Sequence, residues 1–425
     1  MNFKFIHTAD IHLDSPLQGL QRYEGAPVEY IRAATREAFK NLIELSLSEE
    51  VSFVLIAGDL YDGDWKDYNA GLFFASQMAR LNDAGIKVFI VRGNHDAASR
   101  ITRQLSLPGN VTEFPADRTG TVLLEDLKVA VHGHSFARQS VTDNLSLGYP
   151  NPCSGYFNIG LLHTCANGRD GHESYAPCDV RYLETKGYAY WALGHVHNRE
   201  IINEDPYIVF PGNTQGRNVR ETGVKGCTVV EVSDGRVTSL EHRSLDVLRW
   251  VLCEIDITGA EDEEDILNTA TENFKREEAE ADGRLLAMRL IFRGATKYQP
   301  FITRNPEQIE NNIRARANEV AYDRLWVEKI KFKTKNEGDR KKTLENHPVE
   351  SLLRLIAEIP DDDEIIEDIK SELNDLKTAL PPEFFNGDNI DFDDRGLISR
   401  ILTEIEDLII TRLAGEIEEV AEDED

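Results

Sequence analysis

The sequence predicts an α/β protein: a two-sheet sandwich flanked by helices, then a small second α/β domain, then an acidic helical region. Three observations carry that expectation. Short apolar runs alternate with stretches of helical period through the first hundred residues, the rhythm of a layered α/β fold. Five apolar runs end in side chains able to ligate a metal: Asp10-Ile11-His12, Gly58-Asp59, Gly93-Asn94-His95-Asp96, Leu161-Leu162-His163 and Gly194-His195-Val196-His197. After Arg249 the rhythm changes to a single β-α-β-α-β unit followed by a strongly acidic stretch.

Taken in order, residues 3–8 alternate as a short strand with Asp10 and His12 just past its end. Residues 13–27, with Pro16, Gly19, Gly25 and Pro27, read as a loop, and 28–49 carries apolar positions at helical spacing. Phe53 to Ala57 is wholly apolar, as in a strand buried on both faces. A second helix is expected over about 68–83, and Val88 to Val91 is the strand that feeds Gly93-Asn94-His95-Asp96. Further strands are expected at 120–124, 127–133, 158–163, 188–194, 208–210, 226–232 and 236–242, closing a first domain at 1–246. Strands at 250–257, 285–292 and 325–332 with helices at 262–277 and 306–320 make a second domain over 249–338. Apolar positions recur at helical spacing within 343–425, so that region is expected to form amphipathic helices that dock on the preceding domain or on a partner.

Composition narrows the class. The 425 residues, 41% hydrophobic and 29% charged, are enough for two or three domains. No apolar run reaches the roughly 18 residues that span a bilayer, so no membrane segment and a cytoplasmic location are expected, with the N-terminus retained. Five scattered cysteines without a CxxC pair fit neither a disulfide framework nor a thiolate zinc site. The net charge of -29 is uneven: residues 1–250 hold 24 basic against 31 acidic side chains, residues 251–425 hold 23 against 45. That balance argues against binding nucleic acid over the whole surface. Within 281–340 the sign reverses, with 13 basic residues against 8 acidic, including Lys329, Lys331, Lys333 and Lys335. This island is the candidate for contact with a phosphate backbone. In 343–425, 6 basic residues face 26 acidic ones.

The strand-end residues Asp10, His12, Asp59, Asn94, His163, His195 and His197 form the candidate ligand set. In open α/β sheets, such loops converge at the carboxyl ends of strands. Two divalent cations about 3.5–4 Å apart clamp the attacking and leaving oxygens of a phosphoryl transfer, and a carboxylate bridges them best. Asp59 is the natural bridge, and His95 is placed to protonate a leaving oxygen. Mixed oxygen and imidazole ligation favours manganese, iron or zinc over calcium or magnesium. His7, His132, His134, His172, His242 and His347 fall outside the pattern and read as structural.

This series of motifs resembles the calcineurin-like metallophosphoesterases over about the first 215 residues. The opening Phe5-Ile6-His7-Thr8-Ala9-Asp10-Ile11-His12-Leu13 and the small domain after the catalytic one resemble the SbcD-type DNA double-strand-break-repair nucleases. The variant Ile11-His12-Leu13-Asp14-Ser15-Pro16-Leu17 is closest to their YhaO-like bacterial branch. The resemblance implies a metallophosphoesterase sandwich with a capping domain, in which Asp10, His12, Asp59 and His197 hold one metal. Asp59, Asn94, His163 and His195 would hold the other, with His95 as catalytic histidine. It also implies Mn2+ as usual cofactor, DNA as substrate, an SMC-like coiled-coil ATPase as partner, and a homodimer through a helix such as 28–49 or 68–83. Archaeal and eukaryotic repair nucleases carry histidine three residues after the bridging aspartate. This chain has Asp62, as bacterial relatives and protein phosphatases do, which implies that Asp62 orients His95. Two other readings stay open: a phosphomonoesterase or small-molecule phosphodiesterase, which has no need of the basic island, and an architectural subunit, which has no need of a full ligand set.

Overall fold

The computed structural model describes residues 2–15, 27–62, 68–98, 107–166, 176–337 and parts of 352–405. Two six-stranded sheets make the larger unit. The first has the order β12-β11-β1-β2-β3-β4, with β1 Asn2–Thr8, β2 Phe53–Ala57, β3 Lys87–Val91, β4 Val111–Glu113, β11 Gly226–Ser233 and β12 Arg236–Ser244. Strands β1 to β4 run parallel, β11 runs antiparallel to β1, and β12 runs antiparallel to β11. The second sheet has the order β5-β6-β7-β8-β10-β9, with β5 Gly120–Leu124, β6 Val129–His134, β7 Phe157–His163, β8 Tyr190–Gly194, β9 Glu200–Glu204 and β10 Tyr207–Phe210. Its inner strands β6, β7, β8 and β10 are parallel.

Aromatic residues fill the space between the sheets. Phe3, Phe5, Phe53, Phe89 and Phe114 meet Phe157, Ile159, Leu161 and Tyr190, all buried, with Phe5 and Phe53 stacked at 5.1 Å and Tyr190 edge-on to Phe5. Helices α1 Val28–Ser48 and α2 Tyr68–Asp83 cover the outer face of the first sheet through Phe39, Leu42, Phe74 and Leu81. The short helices α3 Asn94–Ala98 and α4 Val180–Thr185 follow β3 and precede β8. His7 and His132 sit in hydrogen-bonded cores. Tyr190 and the Leu193 carbonyl flank His7, and Thr121 and Asn158 flank His132.

The remaining strands, β13 Leu248–Asp256, β14 Leu285–Thr296 and β15 Leu325–Asn336, form a three-stranded sheet in that order. Helix α5 Glu263–Glu280 joins β13 to β14, while α6 Gln299–Arg304 and α7 Pro306–Val320 join β14 to β15. The packing divides this region between two compact units. Residues 274–290 and 317–329 belong with 1–253, and residues 254–273, 291–316 and 330–425 form the second unit. A buried ion pair accounts for part of the first grouping: the Asp246 carboxylate receives Arg249 and Arg284, each at 3.0 Å, while Trp250, Leu285 and Trp326 pack with Ile31 and Ala34 of α1. In the second unit Ile255, Ile266, Phe292, Ile309 and Ile313 are buried. Along β15 the side chains of Lys329, Lys331, Lys333 and Lys335 are exposed, because alternate residues of a strand face one way.

Of the expected acidic helices, α8 Asp363–Ala379 is described, with Ile366, Ile398 and Leu402 forming a small apolar cluster. The rest of 343–425, like His172 and His347, lies mostly or wholly outside the described residues. Among the described residues no helix is long and apolar enough to cross a membrane. All five cysteines are free thiols.

Candidate metal centre

Each parallel strand of the two sheets delivers its C-terminal end to one rim, and the candidate ligands stand there. Asp10 and His12 follow β1, Asp59 follows β2, Asn94 follows β3, His163 ends β7, and His195 and His197 follow β8. The loops after β1 and β2 are laced together by backbone bonds from the amides of Asp10, His12 and Leu13 to the carbonyls of Gly58, Asp59 and Leu60. This lacing holds the backbone in the left-handed region at Asp10 (φ 51°), His12 (φ 47°) and Asp59 (φ 52°), and His195 lies at φ 106°. Non-glycine residues rarely stay there unless the surroundings enforce it, and functional sites are where such strain collects. Gly58 shows how close the loops run: its φ is +94°, and a Cβ there would lie 2.3 Å from His163 Nδ1.

Three compact groups of ligand-type atoms result among the described residues: His12, Asp62 and His95 make one, and the other two hold the candidate metal ligands. Asp10, His12 and His197 offer ligand atoms within 4.8 Å of one another, and so do Asp59, His163 and His195. Asp59 lies between them: its Oδ2 is 3.5 Å from His163 Nε2 and 4.0 Å from His12 Nε2. Asn94 Oδ1 joins the group of Asp59, His163 and His195, 3.0 Å from His163 Nε2. The imidazoles are oriented from behind. His163 Nδ1 faces the Ala57 carbonyl at 2.8 Å, and since a carbonyl only accepts, Nδ1 carries the hydrogen and Nε2 is left as a lone-pair donor. His197 Nδ1 donates to Glu221 Oε1 at 2.8 Å, with the same consequence.

The electrostatics suit a cation. Burial, reinforced by Asp59, pushes the Asp10 carboxyl well above its ordinary pKa, and burial also raises Asp59. Burial lowers His163 to about 3 and His12 well below its ordinary value, so both imidazoles are neutral. His12 supplies the sharpest test of fit. It is fully buried, yet neither ring nitrogen is within hydrogen-bond distance of a partner: Nδ1 lies 3.6 Å from Asp62 Oδ1 and Nε2 4.0 Å from Asp59 Oδ2. Leaving buried polar nitrogens unmet costs about 1–3 kcal/mol each, and a divalent cation among Asp10, His12 and His197 would satisfy Nε2. The residues present therefore fit the two-metal expectation.

His95 stands at the first turn of α3. Its backbone amide donates to Asp59 Oδ1 at 2.9 Å, and its Nδ1 lies 2.9 Å from Asp62 Oδ1. Burial opposes charge on this imidazole, but Asp62 and Asp59 outweigh it and raise its pKa. The Asp62 carboxyl is held far below the usual range: burial works against ionisation, but contacts with His12, His95 and Ser15 prevail. Asp96 anchors the turn itself, accepting from the amides of Tyr61 at 2.9 Å and Gly93 at 3.1 Å.

Three residues of this centre stand outside the short ligand motifs. Glu221 receives His197 and is itself gripped by Arg217, whose Nη2 lies 3.0 Å from Oε1 and whose backbone amide is 2.8 Å from Oε2. Asn213 Nδ2 donates to the same Oε2 at 2.9 Å. The signal available was β10, Tyr207–Phe210, a parallel neighbour of β8 whose following loop Pro211-Gly212-Asn213 opens on the same rim. Arg217 and Glu221 lie several residues beyond that strand end and are not ligand types in a short motif.

Comparison with known proteins agrees with this geometry. Residues 3–199 match the family model described as calcineurin-like phosphoesterase, and residues 250–335 match that of the metallophosphoesterase YhaO middle domain. An uncharacterized metallophosphoesterase YhaO of Bacillus subtilis (strain 168) is 32% identical over 294 residues, 68% of this chain and 71% of that protein. A crystal structure of a dimetal phosphatase from Danio rerio is 12% identical, covering 55% of this chain and 93% of that one at a TM-score of 0.35, too low to carry an inference.

Proposed function

The chain belongs to the calcineurin-like metallophosphoesterase family, and from that premise we propose that it is a metal-dependent DNA nuclease of the SbcD type. Members of this family are hydrolases of phosphoesters that usually use two divalent metals, and this chain has the ligand groups for them. The observation that carries the proposal is the joining of both groups at Asp59, with His95 beside them on the Asp62 carboxylate.

Two divalent cations, Mn2+ in this proposal, supply Lewis-acid polarisation and charge neutralisation at the phosphoryl oxygens. Asp10, His12, Asp59 and His197 would hold one, and Asp59, Asn94, His163 and His195 the other. The protein's own groups do the rest. Asp62 keeps the His95 Nδ1 hydrogen directed at itself, so Nε2 is the atom that gives a proton to the departing oxygen. The amide of His95 on Asp59 ties that imidazole to the ligand set.

The choice of DNA is supported by the four lysines exposed along β15 in a chain of net charge -29. In a strand, alternate side chains recur about every 6.6–6.8 Å on one face, so Lys329, Lys331 and Lys333 present a row of cations to a polyanion. An SMC-like ATPase partner, a homodimer and a cytoplasmic location belong to the same proposal.

The test is Mn2+-dependent digestion of end-labelled linear double- and single-stranded DNA, with a phosphomonoester beside it and His95→Ala as control. Labelled nucleotides or oligonucleotides released by the wild type and lost in the variant support the nuclease. Phosphomonoester turnover without DNA cleavage would move the chain to a phosphatase.

A further inference from the structure

Arg217 is a guanidinium set behind the centre with little exposure, its side chain 16% accessible. It faces two carboxylates that serve different imidazoles. Its Nη2 lies 3.0 Å from Glu221 Oε1, the oxygen that also receives His197 Nδ1. Its Nη1 lies 3.8 Å from Asp62 Oδ2, an ion pair without a direct hydrogen bond. Ser15 Oγ donates to that same Oδ2 at 2.5 Å, so the second oxygen of Asp62 is engaged and Oδ1 is left to His95 at 2.9 Å. On the other carboxylate, Oε2 of Glu221 takes Asn213 Nδ2 and the Arg217 amide, which leaves Oε1 to His197 and the Arg217 guanidinium.

We propose that Arg217 is a positioning residue that locks the two sides of the centre together, fixing His197 through Glu221 and His95 through Asp62. An arginine suits this place because its planar fork can meet two carboxylates in fixed directions, which a lysine point charge cannot do. The arrangement makes metal binding and proton donation depend on one cation. This inference rests on the reading of His197 as a metal ligand and His95 as proton donor.

The test has two arms on the full-length protein. In the first, Mn2+ is titrated calorimetrically into metal-stripped wild type, Arg217→Met, Arg217→Lys, Glu221→Gln and the double variant Arg217→Met/Glu221→Gln. Losing the carboxylate behind a ligating histidine typically weakens metal binding about 10–100-fold. Glu221→Gln and Arg217→Met should each weaken one site by about that factor, and the double variant should be no weaker than the worse single one, as for residues acting as a unit. The double variant also removes both buried charges together, so a folded protein is available even where Arg217→Met alone fails to fold. Unchanged affinity in folded variants, or fully additive losses, overturns the Glu221 half.

In the second arm, turnover is compared on a nitrophenyl phosphodiester, whose leaving oxygen needs no proton, and on a dinucleotide, whose leaving oxygen does. Arg217→Met should lose about tenfold more on the dinucleotide, a part of the 10²–10⁴ that a general acid contributes in full, and Arg217→Lys should recover part of it. Equal loss on both esters shows a merely structural role and overturns the Asp62 half. Should the wild type hydrolyse neither ester, the phosphodiester reading falls while the titration still decides the link from Arg217 to His197.

Discussion

Substituting Gly93 by alanine tests whether the closeness of the loops is what builds the metal centre. A Cβ at Gly93 would lie 2.2 Å from Asp59 Oδ1 and 2.8 Å from His163 Cε1, whereas ordinary contact begins at 3.4 Å. Something must therefore move by about 1 Å. The backbone of residue 93 has little freedom to do so, because its amide is held by Asp96 Oδ2 and its carbonyl receives the Ala97 amide, both at 3.1 Å. The Asp59 carboxylate is what gives way, and it carries the His95 amide with it. A misplacement of that size costs about 100-fold in turnover. Metal affinity should fall at least about tenfold, while overpacking costs the fold about 1–3 kcal/mol. Turnover of a nitrophenyl phosphodiester and Mn2+ titration of the stripped protein measure the two effects, with thermal unfolding to verify the fold. Gly109→Ala is the control, since nothing lies within 4 Å of its Cβ position. A Gly93→Ala protein with both turnover and metal affinity within about twofold of wild type would show that the close approach at Gly93 does not set the Asp59 position.

Three further outcomes are expected. Asp62→Asn should lower turnover about 100-fold, the small end of a general-acid contribution, with Mn2+ affinity nearly unchanged; unchanged turnover would remove Asp62 from its proposed role. Charge reversal of Lys329, Lys331 and Lys333 to Glu should weaken DNA binding and flatten its log–log salt dependence by about 2–3, while leaving a small phosphodiester untouched. A gel-shift salt series reads the first and a chromogenic assay the second. For His7, burial lowers the pKa from an ordinary 6.5 to about 3, so between those values the unfolded chain binds the extra proton. Stability is then fully present above pH 6.5 and is lost as pH falls toward 3, by about 2 kcal/mol at pH 5. Urea unfolding at pH 7 and pH 5 should show a drop that shrinks by that amount in His7→Gln, and an identical drop in both proteins would contradict it.

The parts of this fold that a reader can see in the sequence are those where one physical demand fixes both residue type and position. Phe53 to Ala57 is wholly apolar because the strand is covered on both faces, by α1 and α2 on one side and by the second sheet on the other. Asp59 stands next to it because a parallel strand end is where a loop can reach the common rim. The short edge strands β4 and β9 lack that demand: Val111–Glu113 has three residues and Glu200–Glu204 is half polar, so neither alternates legibly. The ion pair of Asp246 with Arg284 is equally hidden, because it depends on side chains 38 residues apart meeting in the fold. At the centre, ligand types announce themselves in short motifs, but Arg217 and Glu221 act from behind and read in sequence as an ordinary i,i+4 surface pair. The left-handed backbone at Asp10, His12 and Asp59 falls on residue types that tolerate it, but no glycine marks it and Asp and His have other reasons to stand there.

In the proposed function one hydrolytic centre is assembled from both sheets, with Asp59 shared between two metals. The measurement that tests it most directly is phosphodiester turnover as a function of bound Mn2+ per chain, in wild type and Asp59→Asn. Activity that rises with the second equivalent in the wild type, with no more than one tightly bound ion and loss of turnover in Asp59→Asn, is the expected result. Full turnover in Asp59→Asn, or activity complete at one ion per chain, would show that Asp59 does not join two metals.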